Sequence, residues 1–391
     1  MILIFIVLGF ATHAASNFRV SKEICASWAI ILFVALFFVK NIWLRLFLIW
    51  TLIRGIMGFN VHTTPTLFIM FLYIVFLQVL INNLKKEHLV QLMNGICILV
   101  LIQVTWMILQ KSGVWIKIIP LDIKQADILK LLWGGRIVIT RGNYNHTLTG
   151  LMSNINMSSS VLALGLPAFF RKKWYWGIPL VWVGLYLAGP MGGILPALII
   201  MGIWVALEFR QHRAWIITLG ICLFFLYILK TERLSLLLTG SGRTPVWKDI
   251  VQYVILFKEG GLVTNQWLLN FPQRMFFGWG VGMFKVIFPR AQQAFLSTWS
   301  NVVWMQAHNE YLQAWMEGGL IALGLLVGYF GSLIRKGFKY RTYISKIAFL
   351  AVFCGIMNCF VNFLLHTTAA GLFLAWIAIL EKETEKGGVN D

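Results

Sequence analysis

The chain has 391 residues, of which 59% are hydrophobic and 12% charged, with a mean hydropathy of +0.79. A water-soluble protein of this size cannot cover so much apolar surface, so lipid is its main solvent, and lipid admits only helices or closed barrels because every backbone group must be paired internally. The formal net charge of +19 does not argue for nucleic acid: most Lys and Arg stand in short clusters between apolar runs, at 82–88, 170–175, 208–215 and 335–346, as in loops held on the cytoplasmic side during insertion.

The apolar runs approach 20 residues and so favour helices over the alternating strands of a barrel. The expected fold is an all-α polytopic membrane protein. Spans are predicted near 1–16, 25–39, 42–58, 65–83, 89–109, 153–170, 175–188, 191–207, 214–230, 309–334, 345–364 and 367–380, about twelve in all. The first run, "MILIFIVLGFATHAA", lacks a basic flank and reads as a span or signal anchor rather than a cleaved leader. Placing the basic clusters inside puts both termini in the cytoplasm, although the basic stretch at 17–24 then falls outside. The whole, 1–391, reads as one integral membrane domain. It comprises N-terminal spans 1–109, an outer loop 110–152, middle spans 153–230, a large outer loop 231–308, C-terminal spans 309–380 and a solvated tail 381–391. The 18 Trp suit interfacial belts. The five Cys, at 25, 97, 222, 354 and 359, lie in apolar stretches without metal-ligand spacing and read as packing residues.

The loop 231–308 is too long to be structureless in a compact domain. In "SGRTPVWKDIVQYVILF" (241–257), Thr244 is placed to cap a helix with Pro245 in its first turn. Val246, Trp247, Ile250, Val251 and Val254 then form an apolar stripe, which predicts an amphipathic helix lying on the membrane or roofing a cavity. "FFGWGVGMFKVIF" (276–288) reads as a glycine-kinked re-entrant or interfacial segment. The loop carries Arg233, Arg243, Lys248, Lys258, Arg274, Lys285 and Arg290 against Glu232, Asp249 and Glu259, so it is basic on the outside. That suits an anionic ligand at the interface, since the arginine fork binds phosphate oxygens in pairs; anionic lipid headgroups are the plainer occupant.

His308 precedes a helix expected to start near Asn309, and helix N-termini attract anions. On an uninterrupted helix, Tyr311, Leu312 and Trp315 share the His308 face, while Glu310 and Glu317 share another. Glu317 is then poorly placed to orient His308, unless Gly318 and Gly319 bend the chain. Taken alone, a histidine at a span boundary reads first as an interface residue. The aspartates, Asp122, Asp127, Asp249 and Asp391, include no Asp-x-Asp pair for a divalent cation, so no metal or other cofactor is expected.

"AHNEYLQAWMEGGLIALGLL" (307–326) resembles the His-Asn-x-x-Leu…Glu-x-Gly…Gly signature of the O-antigen ligase and O-antigen polymerase superfamily. "SGRTPVWKDIV" is similar to its Gly-Arg-x-x-x-Trp element, "FFGWGVGMFK" to the glycine-rich stretch that follows, and "LTGLMSNINMSSSVLALGLP" (148–167) to the entry of a middle span. The resemblance covers residues 140–335 and implies a metal-independent, inverting GT-C-type glycosyltransferase of the bacterial cytoplasmic membrane, with its site facing the periplasm. Its donor would be an undecaprenyl-pyrophosphate-linked glycan, and its acceptor lipid A–core for a ligase or a second lipid-linked glycan for a polymerase. Carried over, Arg243 would neutralise the pyrophosphate leaving group, and His308 would act as general base or orient the acceptor hydroxyl. Asn309, Glu310, Tyr311, Lys248 and Arg274 would contact substrate. The family's middle-span Ser-Arg is missing from "LAGPMGGILPAL" (187–198), so Arg136 or Arg141 is expected to supply the second cation.

A transporter or flippase of a lipid-linked or anionic substrate is the alternative. Such proteins usually place acids at mid-membrane and repeat their halves; the predicted spans do neither, and Arg45 and Arg54 lie close enough to span ends to snorkel or pair. A scaffold with a lipid-binding loop would leave the ordered motifs unexplained. His146 and His366 read as loop and turn residues.

Overall fold

A computed structural model describes residues 39–57, 63–119, 136–141, 148–149, 151–152, 154–209, 211, 218, 243–251, 271–295, 306–339, 342–362, 364–366 and 369–385. They are mostly helical. The N-terminal region gives α1 (Ile42–Met57), α2 (Thr63–Asn83) and α3 (Lys86–Lys111). The middle region gives α4 (Ile155–Gly165), α5 (Gly177–Ala188) and α6 (Met191–Glu208). Three short helices lie within residues 231–308: α7 (Arg243–Asp249), α8 (Phe271–Phe277) and α9 (Phe284–Phe295). The last three are α10 (Glu310–Gly337), α11 (Tyr343–Val361) and α12 (Ala369–Thr384).

Four of the described helices are long and apolar enough to cross a membrane: Glu87–Lys111, Met191–Glu208, Glu310–Gly337 and Tyr343–Val361. The protein is therefore membrane-embedded. The expected run at 1–16, and nearly all of 25–39 and 214–230, fall outside the described residues. The two middle runs are not simple spans. The run at 153–170 leaves the α-helix at Leu166 and tightens into a 3-10 turn around Pro167. Helix α5 has twelve residues, about 18 Å of length against a hydrocarbon core of about 30 Å. The all-α expectation also needs correction, because within the 110–152 loop β1 (Val114–Ile119) pairs antiparallel with β2 (Arg136–Arg141).

Between apolar helices in lipid, close packing and polar contacts replace the hydrophobic drive. A Cβ on Gly193 of α6 would lie 2.4 Å from the Ser159 carbonyl oxygen, so glycine there lets α6 touch the α4 backbone. Buried Ser160 donates to Asn358 Oδ1 (2.8 Å), and Asn362 Nδ2 donates to both Ser160 Oγ (3.0 Å) and Asn358 Oδ1 (2.8 Å), tying α4 to the end of α11. At the opposite end, Lys346 pairs with Glu208 at 2.9 Å, and Lys336 with Glu381. Cys97, Cys354 and Cys359 are buried and unbridged, as packing residues should be; Cys25 and Cys222 lie outside the described residues.

Candidate functional site

The polar cluster at the start of α10 is built by its cap. Asn309 has extended backbone, and its side chain accepts from the Tyr311 and Leu312 amides at 3.0 Å each, satisfying two of the helix's free N–H groups. His308, just outside the helix, has φ +51°, a left-handed conformation uncommon for a residue with a side chain. The expected sharing of a helix face with Tyr311, Leu312 and Trp315 therefore does not hold, because His308 is not helical. Its neighbour Ala307 is fastened on both sides: the amide donates to Gln313 Oε1 (3.2 Å), and the carbonyl accepts from Trp247 Nε1 (2.8 Å). Such fixing is what holds a backbone in a costly conformation.

The Trp247 bond joins two motifs that are far apart in sequence. Val246 and Ile250, on the inner face of α7 and its continuing turn, are buried in one apolar cluster with Trp279, Met283, Phe284, Phe288, Ala307 and Met316. Val246, Trp247 and Ile250 of the predicted stripe thus close a small core of their own, whereas Val251 is half-buried outside that cluster and Val254 lies outside the described residues; α7 starts at Arg243, one residue before the expected cap. Arg243 stands one turn before Trp247, which reaches the residue adjoining His308, so the fold brings the chain at these two positions to one corner. Lys248 points outward and is exposed. Asp249 is buried, and loss of water pushes its pKa above the ordinary 3.8, with Lys248 opposing. A raised folded-state pKa means that protonation favours the fold, an advantage present below the unfolded value and lost as pH rises through the folded one. Asp249→Asn should therefore raise the unfolding midpoint at neutral pH, and the gain should vanish towards pH 3.8, as thermal melts across that range would report.

Two glycine motifs read separately in the sequence form a single clamp. Gly319 has φ +73° and ψ −173°, a combination open essentially only to glycine, and it kinks α10. The carbonyls of Met316 and Glu317 accept from Trp279 N (2.8 Å) and Gly280 N (2.9 Å). A Cβ on Gly319 would lie 2.0 Å from the Phe276 carbonyl oxygen, and one on Gly278 2.5 Å from Gly319 N. Helix α1 closes the clamp, with Trp50 Nε1 donating to Gly318 O (2.7 Å) and Arg54 Nη2 to Gly278 O (2.9 Å). Arg274 is buried with its guanidinium 5.0 Å from the Trp279 ring centre, a cation–π contact, and burial lowers its pKa from the ordinary arginine value.

Beneath this corner, between α1, α2, α10 and α12, lies a cavity of about 210 Å3. Its body is apolar, with Phe47, Leu48, Tyr73 and Phe373 among its walls, while Lys285, Gln306, Glu310, Gln313 and Glu317 supply polar lining. Such a cavity suits an amphiphile. Glu310 Oε1 accepts from Leu365 N at 2.6 Å, and Glu317 Oε1 from Gln313 Nε2 at 3.3 Å. Tyr311 donates its hydroxyl to Ile356 O (3.2 Å) and stacks on Phe360 at 4.1 Å between ring centres. Asn309, Glu310 and Tyr311 therefore all carry structure at this corner. Arg136 and Arg141 end β2, paired in register with Ile119 and Val114. His146 falls outside the described residues. Among those residues, no three His, Cys, Asp or Glu gather as metal ligands would.

The sequence reading did not single out Gln313, which props the residue before His308, nor the buried position of Arg54. An amide one turn from Glu310 and an arginine in an apolar run were the available signals. No protein-family model matches the chain, and no curated protein does either, so the resemblance to the O-antigen ligase and polymerase superfamily rests on the motifs themselves.

Proposed function

We propose that the chain transfers a glycan from an undecaprenyl-pyrophosphate-linked donor to an acceptor hydroxyl at the periplasmic face of the bacterial cytoplasmic membrane, without a metal ion and with inversion. The observation that supports this reading is the Trp247–Ala307 hydrogen bond, which joins the helix headed by Arg243 to the segment carrying His308, beside a largely apolar cavity. In the proposed reaction, the acceptor oxygen attacks the anomeric carbon and passes its proton to His308. The bond from that carbon to the phosphate oxygen breaks, and undecaprenyl pyrophosphate leaves with the electron pair. Arg243 holds the developing charge; fixed cations aimed at a leaving group act on the transition state more than on the ground state. An alcohol so oriented needs only modest base assistance. Lys248, Arg274, Asn309, Glu310 and Tyr311 are proposed to contact the substrate, with Arg136 or Arg141 as the second cation. The remaining spans complete about twelve, with loops 110–152 and 231–308 outside.

The test uses purified protein in nanodiscs with an undecaprenyl-pyrophosphate oligosaccharide, EDTA, and either lipid A–core or a second lipid-linked glycan. Transfer that persists in EDTA and inverts the anomeric configuration, read by NMR of the product, is expected. The molecule that accepts separates ligase from polymerase. A donor that is bound but never consumed with either acceptor would sink the transferase reading and favour a transporter or flippase.

A further inference from the structure

The sequence marks Arg54 as a residue close enough to a span end to reach water or a partner. The structure gives it neither in full. Its side chain is 5% exposed, its Nη2 donates to the Gly278 carbonyl, and its buried Nε has no hydrogen-bond partner. No carboxylate pairs with it among the described residues. One backbone carbonyl cannot neutralise a guanidinium, and an uncompensated buried charge costs far more than one such bond returns. If Gly278 needed only a donor, a neutral amide would serve.

The position tells what the charge is for. Arg54 lies one turn beyond Thr51, which lines the cavity. It grips Gly278, which abuts Gly319, and Gly318, next along α10, lines the cavity and accepts from Trp50, also on α1. Arg54 is not itself in the cavity wall; its unfilled N–H edge stands at the seam between α1 and the glycine clamp, behind the lining residues Thr51 and Gly318. We infer that Arg54 is an oxyanion-binding residue at this seam, taking phosphate oxygen on Nε while Nη2 stays on Gly278. The inference rests on the pyrophosphate-linked donor proposed above. It supplies from α1 a second cation that was sought in Arg136 and Arg141.

The experiment measures binding, not turnover. Wild type, Arg54→Gln and Arg54→Lys are placed in phosphatidylcholine nanodiscs, with and without phosphatidylglycerol, and titrated with inorganic pyrophosphate and with undecaprenyl pyrophosphate. Losing a charge-assisted hydrogen bond predicts about 10- to 100-fold weaker binding of both by Arg54→Gln. Arg54→Lys, which keeps the charge, should retain most of the affinity. A strut for Gly278 behaves otherwise: the glutamine amide still donates there, so wild-type affinity in Arg54→Gln overturns the inference. Loss in both variants together with a fallen thermal midpoint overturns it too, as does an Arg54 dependence seen only as stabilisation by phosphatidylglycerol, which identifies a lipid headgroup. Arg54-dependent pyrophosphate binding without any glycan transfer would keep the site and sink the transferase reading. Transfer at wild-type rate and affinity by Arg54→Gln would do the reverse.

Discussion

Replacing His308 with glycine is expected to leave a folded protein that is more stable than wild type and nearly inactive. His308 holds φ +51°, which glycine adopts without penalty, so the substitution should stabilise by about 1 kcal/mol. If the imidazole takes the acceptor's proton, its removal should cut transfer by about 10²- to 10⁴-fold. His308→Asn is the companion variant, since asparagine tolerates the left-handed region and keeps the backbone as it is. Both should fall together in turnover and diverge in stability, read by thermal unfolding and initial rates. A histidine that only caps or packs would give the opposite pattern, with turnover following stability.

The largest effect on folding is expected at Gly319. Alanine there must adopt φ +73° and ψ −173°, and its Cβ would sit 2.0 Å from the Phe276 carbonyl oxygen. Backbone strain and overlap with main chain, which cannot swing aside as a side chain can, together predict a loss of about 3 kcal/mol or more. The clamp would open, taking Trp279 and Gly280 off the carbonyls of Met316 and Glu317. Gly324 is the control. It lies in the same helix with nothing within 4 Å of its added Cβ, so Gly324→Ala should be neutral or stabilise by up to about 1 kcal/mol through helix propensity. Equal melting of Gly319→Ala and Gly324→Ala would mean that the kink is not held by this contact.

These two positions also show how much the sequence disclosed. The start of α10 was legible because its cap is local: Asn309 bonds to amides two and three residues on. Helices at apolar runs were legible for the same reason, as was the inward stripe of α7. The antiparallel ribbon was readable in principle, since "VWIKII" and "RIVITR" are rich in β-branched residues, but the polar loop around it hid the signal. What local pattern could not disclose is which distant segments meet. Trp247 bonds to a carbonyl sixty positions away, and Arg54 to one 224 positions away. Periodicity says which face of a helix is apolar and nothing about its partner. The glycines announced two bends, and only their close approach shows that the bends fit each other.

The most direct measurement is the release of undecaprenyl pyrophosphate from its glycan donor, in EDTA, by wild type and by folded Arg243→Ala in nanodiscs. If α7 and the His308 segment form one site, wild type should release the lipid at a rate matching glycan transfer. Arg243→Ala should then lose about 10²-fold or more while keeping its thermal midpoint. Equal release by both proteins would contradict the site at its centre, because the leaving group's charge would then be held elsewhere.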